Sequence, residues 1–160
     1  MPSVVLYQPQ IPPNTGNVGR TCAATGTPLH LIEPLGFSLS DRELKRAGLD
    51  YWPLIDLHRH PCWESFCSLR ERQGGRLIAL SSHAAQPYTS VDFQPDDWLL
   101  FGRESDGLPA CIHAGADMRL VIPMRHASRH QSPGVRSLNL SVSVAVVLFE
   151  ALRQIDCKSR

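Results

Sequence analysis

The chain has 160 residues, enough for one hydrophobic core, and we find no linker or repeat that would divide it. Hydrophobic residues make up 42% and charged residues 19%, and the formal net charge is +1, so a nucleic acid would have to be attracted by a local basic patch. Five scattered cysteines without a C-x-x-C pair indicate neither a disulfide framework nor a zinc site. With no signal peptide before the first strand, we expect a cytoplasmic protein.

The start of the chain predicts a strand, a helix and a second strand. Ser3–Tyr7 is apolar and rich in β-branched residues, which is typical of a buried strand. Prolines should end this strand, and a helix should then run from Asn14, as its capping residue, to Gly26, which can adopt the left-handed conformation. Leu29–Glu33 predicts the second strand.

The same stretch also suggests a dinucleotide-binding unit. The fingerprint of such units is G-x-G-x-x-G, and here Asn14 stands in place of the first glycine, ahead of Gly16 and Gly19. Glu33 ends the second predicted strand, where a ribose-binding acid would lie. A nicotinamide-dinucleotide-binding oxidoreductase is therefore an alternative function.

Helices and strands alternate along the rest of the chain. A capping box at Ser40–Glu43 starts a predicted helix that ends at Gly48, and Pro61–Gln73 predicts another helix with its proline in the first turn. His58 and His60 fall in a predicted loop with no further ligand at metal spacing, so we expect no metal site. Three further strands are predicted at Arg76–Ser81, Asp97–Phe101 and Arg119–Pro123. This alternation predicts an α/β domain with a mainly parallel sheet.

Residues 138–149 are apolar at almost every position, broken only by the small polar residues Asn139, Ser141 and Ser143. A helix that is apolar all round is buried on all sides, and this one is too short and too interrupted to span a bilayer. We predict a loop over Met124–Arg136 that leads into this helix, with Ser137 and Asn139 at its entrance. Free backbone N–H groups make such an entrance a site for a polar ligand, although a simple helix cap would explain the same residues.

Three loops combine glycines and polar residues at strand ends, where α/β folds keep their binding sites. They are Asn14–Arg20, Gly102–Leu108 and Pro123–Asn139. A basic helical face is also predicted, because Arg42, Lys45 and Arg46 are spaced at i, i+3 and i+4. This face is either solvated or a patch that contacts phosphates.

These loops resemble the three motifs of the SPOUT (SpoU–TrmD) family of RNA methyltransferases. The first motif, N-x-G-N-x-x-R, matches Asn14–Arg20, and the second, F-G-x-E-x-x-G-L-P, matches Phe101–Pro109. The third combines I-P-M at Ile122–Met124 with R-S-L-N-L-S at Arg136–Ser141. The intervening sequence, including Arg46–Tyr51, is similar to the TrmL branch of the family, the tRNA wobble-nucleotide 2′-O-methyltransferases.

This resemblance covers essentially the whole chain and implies a single SPOUT domain over residues 1–160. It implies an α/β fold whose C-terminal segment forms a trefoil knot, an exception to ordinary chain topology. S-adenosylmethionine would bind in the pocket formed there, without a metal. The family works as a homodimer whose active sites are completed across the interface, and its substrate would be the ribose 2′-hydroxyl of the wobble pyrimidine in a tRNA anticodon loop.

The resemblance also implies roles for individual residues. The cofactor would be held by Leu80, Gly102, Glu104, Ile122, Ser137, Leu138 and Asn139. Arg20 matches the arginine at the reacting hydroxyl, and because a guanidinium stays protonated we expect it to stabilise negative charge rather than act as a base. Basic residues would contact the RNA, namely Arg42, Lys45, Arg46, Arg125, Arg129 and Arg136.

Two features depart from the TrmL branch. The segment Arg125–Val135 is longer than in that branch and basic, so it either reaches RNA phosphates or is a surface insertion. Phe149 stands where the branch usually has tyrosine, so a contact that depends on the hydroxyl is lost. An RNA-binding module that keeps the fold without the activity is a further alternative, which the intact Arg20 and Glu104 disfavour.

Overall fold

The computed structural model of the protein describes residues 1–38, 51–124 and 135–159. Within these ranges the strands are β1 (Ser3–Tyr7), β2 (Leu29–Ile32), β3 (Leu57–His60), β4 (Leu77–Leu80), β5 (Gln86–Pro87), β6 (Trp98–Phe101) and β7 (Met118–Val121). The α-helices are α1 (Pro12–Thr25), α2 (Trp63–Gln73), α3 (Ala110–Ala114) and α4 (Leu140–Lys158). Two short 3₁₀ helices cover Trp52–Leu54 and Tyr88–Ser90.

The described strands form one sheet in the order β3-β2-β1-β6-β4-β7-β5, with parallel pairing throughout. This confirms the predicted α/β fold with a mainly parallel sheet. The central strands are apolar because both of their faces are covered. On one face Val4 packs in a cluster with residues of α1 and α4, including Val18 and Val147, and on the other Leu100 packs with Phe66 of α2.

Helix α1 begins earlier than the sequence suggested. Pro12 and Pro13 occupy its first turn, where a fixed φ and a missing N–H cost nothing, so the expectation that Asn14 caps the helix was wrong. Asn14 instead lies buried inside the first turn. Gly26 ends the helix in the left-handed conformation, with φ 67°, which confirms that part of the prediction.

The two edges of the sheet were not predicted. His58 and His60 lie in strand β3 rather than in a loop, and β3 pairs only with β2 among the described strands. Strand β5, at the opposite edge, was also missed. Edge strands carry polar residues without the apolar pattern of a central strand, so periodicity does not reveal them. Helix α2 begins at Trp63, two residues after the predicted Pro61.

Helix α4 differs from the prediction in its burial. Asn139 caps it, since its side chain accepts a hydrogen bond from the Ser141 backbone N–H at 2.9 Å, as expected for the helix entrance. The helix is not buried on all sides, however, because Val142 is 46% exposed and Phe149 57% exposed. Helix α1 and the sheet cover one face of α4 and leave another apolar face uncovered within the described chain.

Some predictions fall on residues outside the described ranges. They include the helix at residues 40–48, with Arg42, Lys45 and Arg46, and the loop residues Arg125 and Arg129. Residues 125–134, which precede the C-terminal segment, lie outside the described ranges, and the trefoil knot stays a prediction. In the three described ranges, no helix is both long and apolar enough to cross a membrane.

Candidate functional site

A cavity of about 970 Å³ lies at the carboxyl ends of the neighbouring strands β4, β6 and β7. Leu80 ends β4, Gly102 follows β6 and Ile122 follows β7, and all three line the cavity. The chain entering α4, from Arg136 to Leu140, lines it as well. Because parallel strands end at the same edge of a sheet, loops far apart in sequence meet there.

The cavity brings together all the residues predicted to hold a cofactor. Its wall includes Leu80, Gly102, Glu104, Ile122, Ser137, Leu138 and Asn139. Arg136, predicted to contact RNA, is exposed at the same wall and forms no hydrogen bond or ion pair with the other described residues. Arg20 does not line the cavity of its own chain and lies exposed on α1.

Several lining residues were not predicted. Ser81, Ser82 and His83 follow β4, and His113 lies on α3 with a buried Nε2 that has no hydrogen-bond partner in the described chain. The first three could have been found, because they lie at the end of a predicted strand or directly after it, at the same sheet edge. His113 had no signal, since the five-residue helix α3 is too short to show a helical period.

A tight turn over residues 102–108 forms one wall. A Cβ at Gly102 would lie 2.3 Å from the carbonyl carbon of Gly107 and 2.5 Å from the Leu108 nitrogen, so no side chain fits there. Gly107 has φ 72°, a conformation that favours glycine. The backbones of Arg103 and Gly107 exchange hydrogen bonds of 3.1 and 3.0 Å, which close the turn.

The arginines of this wall, apart from Arg136, are engaged by protein groups. Arg103 donates two hydrogen bonds to the Asp106 carboxylate, at 2.8 and 2.6 Å, and one to Gln8 Oε1 at 3.1 Å. The Ser105 hydroxyl, together with Arg103, lowers the pKa of Asp106. Arg119 donates to two backbone carbonyls at the end of α3, at 2.7 and 2.6 Å. Among the described arginines of the wall, Arg136 alone is free to meet a phosphate.

Asn14 joins the three loops through hydrogen bonds. The half-buried Glu104 carboxylate accepts hydrogen bonds from the Gln10 N–H at 2.8 Å, the Ile11 N–H at 3.2 Å and Asn14 Nδ2 at 3.2 Å. Asn14 Oδ1 accepts from Asn139 Nδ2 at 2.9 Å. Both ends of the Asn14 amide are therefore used, and the start of α1, the 102–108 turn and the start of α4 are held together.

This network disfavours the dinucleotide-binding alternative. The negatively charged Glu104 lies at the N-terminus of α1, where the pyrophosphate of a dinucleotide would need the free N–H groups. Glu33, the expected ribose-binding acid, accepts a hydrogen bond from Arg59 Nε at 2.9 Å and does not line the cavity. Over the residues described, no group of three or more His, Cys, Asp or Glu is arranged to hold a metal ion.

Comparison with known proteins identifies the class. The model of the SpoU rRNA Methylase family matches residues 1–149, so the chain belongs to this family of methyltransferases. This confirms the resemblance to the SPOUT family seen in the three motifs. A structure of the AdoMet-bound rRNA methyltransferase from Sinorhizobium meliloti is 26% identical, with a TM-score of 0.82 over 95% of this chain and 56% of that one.

Relatives with higher sequence identity share the name of one particular tRNA methyltransferase. The tRNA (cytidine(34)-2′-O)-methyltransferase of Beijerinckia indica is 49% identical over 157 residues, which cover 98% of this chain and 94% of the relative. The protein of the same name from Yersinia pestis is 44% identical over 160 residues, covering 97% and 94%. A solved structure described as giving insights into the 2-OH methylation of C/U34 on tRNA is 48% identical, with a TM-score of 0.89 over 100% of this chain and 98% of that one.

Proposed function

We propose that this protein transfers a methyl group from S-adenosylmethionine to the ribose 2′-hydroxyl of the wobble pyrimidine in tRNA anticodon loops. The observation that carries the proposal is that residues of all three family motifs line one cavity and are joined through Asn14. The relatives from Beijerinckia indica and Yersinia pestis, named for this reaction and similar over nearly the whole chain, support the same substrate.

The cavity suits S-adenosylmethionine in size and chemistry. Its volume of about 970 Å³ lies within the range of roughly 300–1,000 Å³ that is typical of small-molecule pockets. Apolar side chains of Leu80 and Ile122 lie beside polar groups such as Ser137, and the tight turn that begins at Gly102 forms part of the same wall. When bound, S-adenosylmethionine supplies a methyl group on a positively charged sulfur, which an oxygen nucleophile can accept.

The lining residues divide into two roles. We assign Leu80, Gly102, Ile122 and Ser137 to direct contact with the cofactor, several of them through backbone groups. Glu104 and Asn139 border the cavity, but their polar atoms are engaged by α1 and by the start of α4. These two residues therefore hold the loops around the cofactor. Leu138, which lies between Ser137 and Asn139 in the sequence, adds an apolar part of the wall.

We assign Arg20 to the reacting hydroxyl. Loss of the proton from a ribose hydroxyl leaves negative charge on oxygen, and a guanidinium can stabilise that charge with up to five N–H donors. Its permanent protonation makes it unsuited to act as the base. Arg20 is absent from the cavity wall of its own chain, which supports the proposal that a second copy of the chain supplies it.

The proposed homodimer has a candidate interface on α4. Val142 and Phe149 are seven residues apart, on one face of the helix, and are 46% and 57% exposed. Ile11, at the start of α1, is 44% exposed. A second copy of this chain would remove these apolar groups from water, which stabilises association by the hydrophobic effect.

The RNA would be contacted by basic groups at the rim of the cavity. Arg136 is exposed there, and its guanidinium is unpaired within the described chain. With it we propose the residues Arg42, Lys45, Arg46, Arg125 and Arg129, on the strength of the sequence alone. We further propose that residues 1–160 act as one methyltransferase domain, which the one continuous sheet supports. We expect it to act in the cytoplasm, where tRNA is found.

The test measures transfer of the tritium-labelled methyl group of S-adenosylmethionine to bulk tRNA. The tRNA is taken from a strain that lacks its own wobble methyltransferase. We expect label on a wobble 2′-O-methylpyrimidine after digestion to nucleosides. Arg20→Ala should abolish transfer and leave the affinity for S-adenosylhomocysteine nearly unchanged, because Arg20 lies outside the cavity wall.

Other outcomes point to the alternatives. RNA binding by the wild-type protein without any transfer would support a non-catalytic RNA-binding module. Binding of NADH without binding of S-adenosylhomocysteine would support the dinucleotide alternative. Loss of cofactor affinity in Arg20→Ala would contradict the role that we assign to Arg20.

A further inference from the structure

The guanidinium of Arg20 has one described neighbour of interest, the ring of Tyr51. Arg20 Cζ lies 4.9 Å from the centroid of this ring, within the distance of a cation–π contact. Arg20 is otherwise exposed, and it makes no hydrogen bond or ion pair with the described residues. Among the described residues, the partner of its guanidinium is therefore an aromatic face rather than a carboxylate.

A cation–π contact suits an arginine that must act on a substrate. The ring attracts the flat face of the guanidinium, while the N–H groups point outward in the guanidinium plane. An ion pair would instead use up these donors and part of the charge, as Asp106 does for Arg103. Tyr51 can thus restrict where Arg20 points and leave its donors free.

The backbone that carries Tyr51 is itself held against α1 next to Arg20. Tyr51 precedes the 3₁₀ helix Trp52–Leu54, and its carbonyl accepts a hydrogen bond from the Leu54 N–H at 2.8 Å. Trp52 and Ile55 pack on Gly19, where a Cβ would lie 2.7 Å from Ile55 Cδ1 and 3.3 Å from the Trp52 ring. Gly19 immediately precedes Arg20, so this close packing sets the spacing between the Tyr51 ring and the Arg20 side chain.

We propose that Tyr51 is a positioning residue for Arg20, holding its guanidinium by the ring face in the orientation needed for methyl transfer. This inference rests on the proposed function, in which Arg20 meets the ribose hydroxyl. It assigns the effect to the aromatic face of Tyr51 and not to its hydroxyl group. Tyr51 is not among the residues that line the cofactor cavity, so its loss should leave cofactor binding intact.

The kinetic test compares Tyr51→Phe, which keeps the ring, with Tyr51→Leu, which removes it. A cation–π contact at an exposed site predicts a fall in kcat of about two- to fivefold for Tyr51→Leu. The KM for S-adenosylmethionine and the melting temperature should stay close to wild type, and Tyr51→Phe should keep most of the activity. Equal losses in both variants, or no loss in Tyr51→Leu, would overturn the inference.

A second pair of variants covers the case in which Tyr51→Leu does not fold. Phenylalanine and pentafluorophenylalanine at position 51 have nearly the same shape, but fluorination reverses the charge distribution on the ring face and so removes the attraction for a cation. We expect the fluorinated protein to show the loss of kcat expected for Tyr51→Leu. Equal activity of the two proteins would contradict a cation–π role.

A spectroscopic test separates this inference from the proposed function. The Nε–H signal of Arg20, assigned by its disappearance in Arg20→Lys, should be shifted by the ring current of Tyr51 in the wild-type protein. That shift should vanish in Tyr51→Leu and persist in Tyr51→Phe. If the wild-type protein transfers no methyl group, the proposed function is wrong, but this signal still reports whether Tyr51 holds Arg20; an unchanged signal in Tyr51→Leu overturns the inference.

Discussion

Replacement of Glu104 by glutamine should loosen the contact between the three loops. The carboxylate accepts three hydrogen bonds, from the N–H groups of Gln10 and Ile11 and from Asn14. A glutamine side chain has a single acceptor oxygen, and its NH₂ group must face at least one of these donors. Loss of one hydrogen bond to a charged group, together with the loss of negative charge at the N-terminus of α1, predicts a fall of about 2–4 kcal/mol in the free energy of unfolding.

The measurement is urea denaturation followed by circular dichroism, with titration calorimetry for S-adenosylhomocysteine. All samples need the same protein concentration, since self-association makes stability depend on concentration. We expect Glu104→Gln to lose both stability and cofactor affinity. Asp106→Asn is the matched control, because it makes the same change in charge in the same turn. The Asp106 carboxylate is exposed and forms its ion pair at the surface, so we expect only a small loss of stability.

Two results would refute this reasoning. Equal stability of Glu104→Gln and Asp106→Asn would mean that the hydrogen bonds to α1 contribute little. A loss of stability in Glu104→Gln with unchanged cofactor affinity would mean that the network does not shape the cavity.

Three further predictions concern the turn, the buried histidines and helix α4. Gly102→Ala should weaken cofactor binding and destabilise the fold by about 1–3 kcal/mol, because its Cβ would collide with the backbone of the 102–108 turn; calorimetry and denaturation measure both effects. Burial, with the nearby His58 and His60, lowers the pKa of His30 from 6.5 to about 3. Below pH 6.5 the unfolded chain therefore binds a proton that the folded protein does not, so stability should fall by roughly 2 kcal/mol from pH 8 to pH 5 in urea titrations. Phe149→Arg should shift the protein from dimer to monomer in sedimentation experiments, since it puts a charge into the proposed apolar interface.

Each of these predictions has its own control. A Cβ at Gly74 would have no neighbour within 4 Å, but Gly74 has φ 76°, unlike Gly102. Gly74→Ala therefore reports backbone strain without a collision and should leave cofactor affinity unchanged. His30→Leu should flatten the dependence of stability on pH between 8 and 5; an equally steep curve would exclude His30 as its source. Gln73→Arg, on an exposed position of α2, should not alter the sedimentation of the protein, and a dimer that survives Phe149→Arg would locate the interface elsewhere.

The local sequence determined the central strands and the motif loops. Strands β1, β2, β4 and β6 lie within a residue or two of their predicted bounds, because a strand that is buried on both faces is largely apolar along its length. The carboxyl ends of parallel strands meet at one edge, so the sequence also indicated that the loops after these strands would come together. The individual cavity residues, among them Leu80, Gly102 and Ile122, followed from the resemblance to the family rather than from periodicity.

Other features depended on contacts that no local pattern contains. Asn14 has the sequence appearance of a helix cap, yet its partners Glu104 and Asn139 lie 90 and 125 residues away, so its role emerges only when the loops meet. The exposure of Phe149 likewise depends on what packs against α4, because the sequence before it is apolar at almost every position and does not show which face stays uncovered.

The same holds for the two edges of the sheet and for the surroundings of Arg20. His58 and His60 form a strand because β2 offers backbone hydrogen-bonding groups, not because their side chains favour one. The sequence identified Arg20 as the residue at the reacting hydroxyl through its motif, but only the tertiary structure brought the Tyr51 ring to its guanidinium. Neighbouring residues and the spacing of apolar residues determine which segments form helices and strands. Polar side chains acquire their partners only after those helices and strands have packed together.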